Sequence, residues 1–151
     1  MTSPTCPLCN SIATLFCEKP KHLFYKCNTC DGIFRPKHTF LTAEEEKEHY
    51  EKHNNDVFDE RYQVFVSPIV NAVLHDFTVE AKGLDFGSGT GPVIAKMLTD
   101  KGYQVQNYDL FFANEPSLLQ EKYDYVSCCE VMEHFHHPYQ EFELLKSLLL
   151  P

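Results

Sequence analysis

The chain has 151 residues, 43% of them hydrophobic, and its 13 Lys and Arg against 22 Asp and Glu leave a formal charge of −9. Such a chain can bury the core of one ordinary domain, or of a small stapled module joined to part of a larger one, so general disorder is excluded. No apolar run approaches the roughly 20 residues of a spanning helix, and the N-terminus lacks a basic stretch followed by an apolar core. The acidic balance argues against non-specific grip on nucleic acid, so the expectation is a cytoplasmic protein with no membrane association.

Four of the seven cysteines form two CxxC pairs, Cys6/Cys9 and Cys27/Cys30, with seventeen residues between them. Each pair can make a tight knuckle whose backbone N–H groups point at sulfur, and Gly32 is expected to supply the permissive backbone after the second one. Four thiolates satisfy Zn²⁺ without an open position, which implies a structural metal. Iron would use the same four sulfurs, and disulfides or unligated thiols are the bland alternatives. Cys17, His22 and His38 lack ligand spacing and read as packing or surface residues. Aromatic-rich stretches at 22–26 and 33–34 look like ribbon strands, so residues 1–40 form a zinc-ribbon-like module.

Residues 41–81 read as a helical connector. Thr42 and Glu45 make a capping box before a polar helix over 43–53, expected to stay solvated. His49 and His53 could share a metal on one helix face, although a solvated face explains them better. Phe58, Tyr62, Phe65, Val66, Ile69, Val70, Val73, Leu74 and Phe77 recur at three- and four-residue steps, an amphipathic helix in which Ser67-Pro68 is expected to impose a kink or restart. Tyr50 and Tyr62 could close over a ligand, and core packing explains Tyr62 equally well.

From residue 82 onward short apolar strands alternate with helices: strands at 83–86, 104–108 and 123–129, helices at 92–100 and 138–150. This order implies a parallel sheet. Between the first strand and its helix stands LDFGSGTGP, residues 84–92, with glycines at 87, 89 and 91. Glycines admit close backbone approach, and the helix start presents unpaired N–H groups to an anion. Asp109 ends the second strand, where a carboxylate can accept both hydroxyls of a ribose.

The DxGxGxG loop, an aspartate after the next strand and the segment YDYVSCCEVMEHF at 123–135 together resemble motifs of class I S-adenosylmethionine-dependent methyltransferases. With the CxxC module in front, the chain is similar to a subgroup of zinc-ribbon-bearing methyltransferases. The resemblance implies an α/β, Rossmann-like parallel sheet over residues 82–151. It also implies S-adenosylmethionine held by Asp85, Gly87, Ser88, Gly89 and Gly91 at the methionine moiety, Asp109 at the ribose, and Cys129 and Glu130 beside the cofactor. Residues 110–122 leave little room for the family's next helix and strand, so its adenine-binding acid is unidentified. The family's three C-terminal strands would lie past Pro151; a truncated chain is expected, with strand 123–129 as an unprotected edge prone to self-association.

Glu130, Glu133 and His134 are the concentrated candidates for catalysis. In some relatives a similar E-x-x-E-H cluster binds a divalent metal that orients an acceptor hydroxyl, so a second metal is possible here; the alternative is that Glu133 and His134 cap and shape the loop. His136 and His137 could add ligands, and solvated loop histidines explain them as well. The expected function is methyl transfer to a small-molecule acceptor, with proximity and a base as the enzyme's contribution. The alternatives are a non-catalytic zinc- and cofactor-binding scaffold, or an RNA methyltransferase using Lys19, Lys21, Lys26, Arg35 and Lys37 of the metal module.

Overall fold

A computed structural model describes residues 4–52 and 56–151. The first unit is an antiparallel three-stranded sheet, β1 (Ala13–Lys19), β2 (His22–Cys27) and β3 (Ile33–Phe34), in the order β1-β2-β3. The β1–β2 hairpin turns at Pro20-Lys21, where Lys21 has φ 71°, and its register shifts between Leu15 and Cys17. Strand β1 was not foreseen; its run TLFCEK opposite the aromatic β2 carries the signal.

The connector holds α1 (Ala43–Glu51) and α2 (Glu60–Asp76). The Thr42–Glu45 capping box forms in full, with both reciprocal bonds present. His53, the proposed partner of His49, lies outside the described residues. Of the kink or restart expected at Ser67-Pro68, the restart does not occur: α2 continues through Pro68. Proline cannot donate to the Val64 carbonyl one turn back, and the Ser67 hydroxyl takes that carbonyl instead at 2.7 Å. Serine therefore repairs the defect that proline makes and caps nothing.

A parallel sheet follows, built from β4 (Lys82–Phe86), β5 (Gln104–Tyr108) and β6 (Tyr125–Ser127) in the order β5-β4-β6. Helix α3 (Val93–Thr99) connects β4 to β5, and α4 (Pro138–Leu148) follows β6. Alternate residues of β4 face opposite layers. On one side Val66, Val70 and Val73 of α2 meet Val93, Ile94 and Leu98 of α3, with Tyr103 and Tyr125. On the other, Leu84, Tyr108 and Tyr123 pack with Leu148 of α4. Each fully buried aliphatic side chain contributes about 1.5–3 kcal/mol, so these two layers hold the sheet. Gly83 is required where β4 passes Tyr125, because a Cβ there would lie 2.2 Å from the tyrosine ring.

The β6 edge is partly covered. Tyr123 pairs in parallel with Leu149, its N–H donating to the Leu148 carbonyl and its carbonyl accepting from Leu150, both at 2.9 Å. Residues 110–122 make only a short 3-10 helix, Pro116–Gln120, so β5 forms the other edge of the sheet. Among the described residues no helix is long and apolar enough to cross a membrane.

Candidate functional site

The four cysteines of the ribbon converge. Their sulfur atoms lie within 4.8 Å of one another, with Cys6 Sγ 3.6 Å from Cys30 Sγ and Cys9 Sγ 3.4 Å from Cys27 Sγ. The two knuckles are built alike: the Cys6 N–H donates to the Ser11 carbonyl, and the Cys27 N–H to the Gly32 carbonyl. The Thr29 and Cys30 amides point at Cys27 Sγ from 3.4 and 3.5 Å, donors that favour thiolate. The left-handed residues are Asn10 and Asp31, with φ 59° and 60°, which corrects the role given to Gly32. Asn and Asp tolerate that conformation best among non-glycine residues, and Gly32 instead leaves room beside Cys30 Sγ. Hydrogen bonding, first from the Ser11 hydroxyl, pulls the Cys9 thiol down, while the neighbouring sulfurs and burial push Cys30 up, so the four thiols share their protons unevenly. Four convergent sulfurs with amide donors are compatible with a zinc ribbon.

At the carboxyl ends of β4, β5 and β6 lies a cavity of about 660 Å³. Because β4 is flanked on both sides, this is where the strand order reverses, the position at which open parallel sheets take ligands. Gly87, Ser88 and Gly89 form one wall, Asp109 and the rings of Phe111 and Phe112 another, and Cys129, Glu130 and His134 a third. The loop is pinned from below, since the Gly87 and Ser88 amides both donate to the Tyr108 carbonyl. Gly87 has φ 74°, and a Cβ there would sit 2.4 Å from Val131 Cγ2. Only glycine lets the backbone line the cavity at that point.

Two aspartates organise this end of the sheet. Asp109 is a backbone clamp: one oxygen accepts from the Gly89 amide at 2.9 Å, the other from Phe111 and Phe112 at 2.9 and 3.1 Å. It thereby ties the glycine loop to the turn after β5. Asp85 is 4% exposed, accepts from Ser127 Oγ at 2.8 Å, and stands behind the loop outside the cavity lining. Burial pushes its carboxyl up to about 6, against the opposing pull of the Ser127 hydroxyl and the Ala95 amide.

Of the other proposed residues, Gly91 and Glu133 do not line the cavity. Glu133 and His134 approach to 3.9 Å on the exposed side of the loop. Among the described residues the cysteine cluster is the only gathered group of potential ligand atoms, so Glu130, Glu133 and His134 do not converge on a point. Glu130 has φ 54°, a conformation costing a non-glycine residue about 1–2 kcal/mol.

The polar helix α1 is not fully solvated as expected. Ala43, Glu46 and Tyr50 lie on one face and line the cavity from above. Glu46 Oε1 is 2.9 Å from His136 Nε2, the Phe40 ring lies against His136, and the Tyr50 ring meets His134 and Phe111. Burial raises the Tyr50 hydroxyl to about 12. The 43, 46, 50 spacing was visible in the sequence, but its mixed chemistry hid it from a search for apolar stripes. Tyr62 packs on the α2–α3 core, as one reading of it expected, and also lines the cavity.

A sequence family described as a methyltransferase domain matches residues 58–151. The chain belongs to this methyltransferase domain family. The match begins with the residues of α2, consistent with the packing of that helix on the sheet. Comparison with curated proteins finds no significant match.

Proposed function

We propose that the chain is an S-adenosylmethionine-dependent methyltransferase acting on a small-molecule acceptor, with a structural Zn²⁺ in its ribbon. One observation carries the reading: three sequence-distant motifs, the 87–89 loop, Asp109 and the Cys129–Glu130 turn, border a single cavity at the reversal point of a parallel sheet. The lining suits the ligand in charge. It carries Glu46, Asp109, Glu130 and Glu141 with no Lys or Arg, a field that favours a cationic sulfonium. A glycine loop that a Cβ would block provides close backbone approach.

S-adenosylmethionine, when bound, supplies a methyl group already activated by the sulfonium. The chain's own contribution is then alignment and exclusion of water. Asp109, preset by three amides, would accept the ribose hydroxyls, and the loop amides would meet the amino-acid end. Phe111, Phe112, Tyr50 and Tyr62 line the space with aromatic rings. His134 and Glu130 stand where a proton could leave a hydroxyl acceptor.

The test is calorimetric titration of S-adenosylhomocysteine into the zinc-loaded chain. Saturable binding is expected, weakened at least about tenfold by Asp109→Ala, as for a lost charge-assisted contact. No binding by a folded chain, or equal binding by the variant, would remove the reading.

A further inference from the structure

A second cavity, of about 550 Å³, separates the ribbon from the first turn of α4. Apart from the Cys6 sulfur, its charged side chains are of the opposite sign to those of the first. Arg35, Lys37 and His137 stand on its wall, and no Asp or Glu does, in a chain of net charge −9. Lys37 Nζ lies 3.2 Å from His137 Nδ1, bridging ribbon and α4. Arg35 is held in place by donating from Nη2 to the Thr39 carbonyl at 2.9 Å, and its shielded Nε has no acceptor. Tyr139 and Gln140, in the first turn of α4, line the same space; the N-cap residue His137 offers no side-chain cap, and the Glu141 carboxylate accepts from the His137 amide at 3.2 Å. Two cationic side chains, Arg35 and Lys37, thus line one volume beside the start of α4, a combination that favours an anion.

We propose that this cavity binds the anionic group, a phosphate or carboxylate, of the acceptor molecule; the assignment to an acceptor rests on the methyltransferase reading above. His137 lines both cavities. A molecule anchored by its anion beside Arg35 and Lys37 would extend toward the first cavity on the side of His137, the residue that the two walls share. The first cavity, with four carboxylates on its wall, repels such an anion and leaves the neutral, reacting end there. Charge sorts the two ends of the acceptor and sets its direction. The confined volume and the chain's negative charge favour a small molecule over a nucleic acid, whose binding needs an extended basic surface.

The experiment titrates inorganic pyrophosphate into the zinc-loaded chain, by calorimetry and by amide NMR shifts, with and without saturating S-adenosylhomocysteine. Saturable binding is expected, with shifts at Lys37, His137 and Tyr139 and an unchanged affinity for S-adenosylhomocysteine. Arg35→Gln/Lys37→Gln should weaken pyrophosphate at least about tenfold while zinc content is retained. Lys37→Gln alone, at an exposed residue, serves if the double variant loses its ribbon, and should weaken it severalfold. Absence of saturation, equal binding by Lys37→Gln, or competition between the two ligands would overturn the site. A short single-stranded RNA binding more tightly than pyrophosphate at physiological salt would overturn the small-molecule assignment. Pyrophosphate binding without S-adenosylhomocysteine binding would preserve the anion site and overturn its assignment to an acceptor, a failure distinct from that of the site itself.

Discussion

The ribbon and the sheet domain solve the same problem by different means. Among described residues 4–40 only Cys6, Ala13 and Cys27 are buried, while Ile12, Leu15, Phe16 and Ile33 are each more than half exposed. The sheet domain buries two layers of Val, Ile, Leu and Tyr against both faces of β4. A unit of about 40 residues cannot pay its conformational entropy with so small a core, so on the proposed zinc reading the ribbon would depend on an ion held by its four sulfurs. The sharpest way to break this contrast is to challenge that proposed metal. Structural zinc sites contribute on the order of 10 kcal/mol. Chelation, or Cys27→Ser, should collapse the dispersed NMR signals of β1–β3 and leave those of β4–β6 in place. Loss of both sets together would mean that the two units fold as one.

The converse experiment strikes the core. Leu98 is fully buried between α2 and the sheet, and Leu98→Ala should cost about 2–5 kcal/mol in chemical denaturation. Phe16→Ala, at a larger but 55% exposed side chain of the ribbon, should change stability by about 0.5 kcal/mol or less. Comparable losses would show that ribbon hydrophobes carry more packing than their exposure indicates.

What the sequence made legible follows the same division. The CxxC spacing, the capping box, the glycine loop and the strand before it are local signals, and each element stands where its residues pointed. Strand β1 was missed because its side chains are mostly exposed and alternate weakly. Of the kink or restart expected at Ser67-Pro68, the restart is excluded because the Ser67 side chain, which reads equally well as a cap, takes the Val64 carbonyl instead. Within the site, Gly87, Asp109 and Glu130 were found through motifs. Glu46 and His136 were not joined, because a contact between residues 90 positions apart leaves no periodicity in either segment. The basic cavity was visible only as a scatter of Lys and Arg until the fold set Arg35 and Lys37 against His137.

Asp85 offers a smaller, pH-dependent test of how tightly the sheet domain excludes water. Its carboxyl titrates near 6 rather than 3.8 because burial disfavours the charged form. Since the folded state holds the proton more tightly than the unfolded one, stability should fall as pH rises from about 4 to 6 and stay level above. The shift corresponds to about 3 kcal/mol. Asp85→Asn should flatten that part of the curve relative to the unaltered chain in denaturation at pH 4 through 7. Parallel curves for the two proteins would show that water reaches Asp85 behind the loop.

The smallest expected effect concerns a contact that ties the connector helix α1 to the loop before α4 over the cavity. Glu46 and His136 are 18% and 39% exposed at their side chains, so their pairing is partly screened and should contribute about 0.5–1 kcal/mol. That is too little to register clearly in global unfolding, yet it acts on a short helix with no buried residue of its own. The consequence should be local: Glu46→Ala should speed amide exchange in α1 by about two- to fivefold and leave β4 unchanged. Tyr50, whose ring lies against His134 and Phe111, supplies the other hold, and Tyr50→Ala combined with Glu46→Ala should exceed the sum of the separate effects if α1 docks as a unit. Strict additivity would mean that each end of α1 is held independently and that the helix frays over the cavity instead of lifting from it.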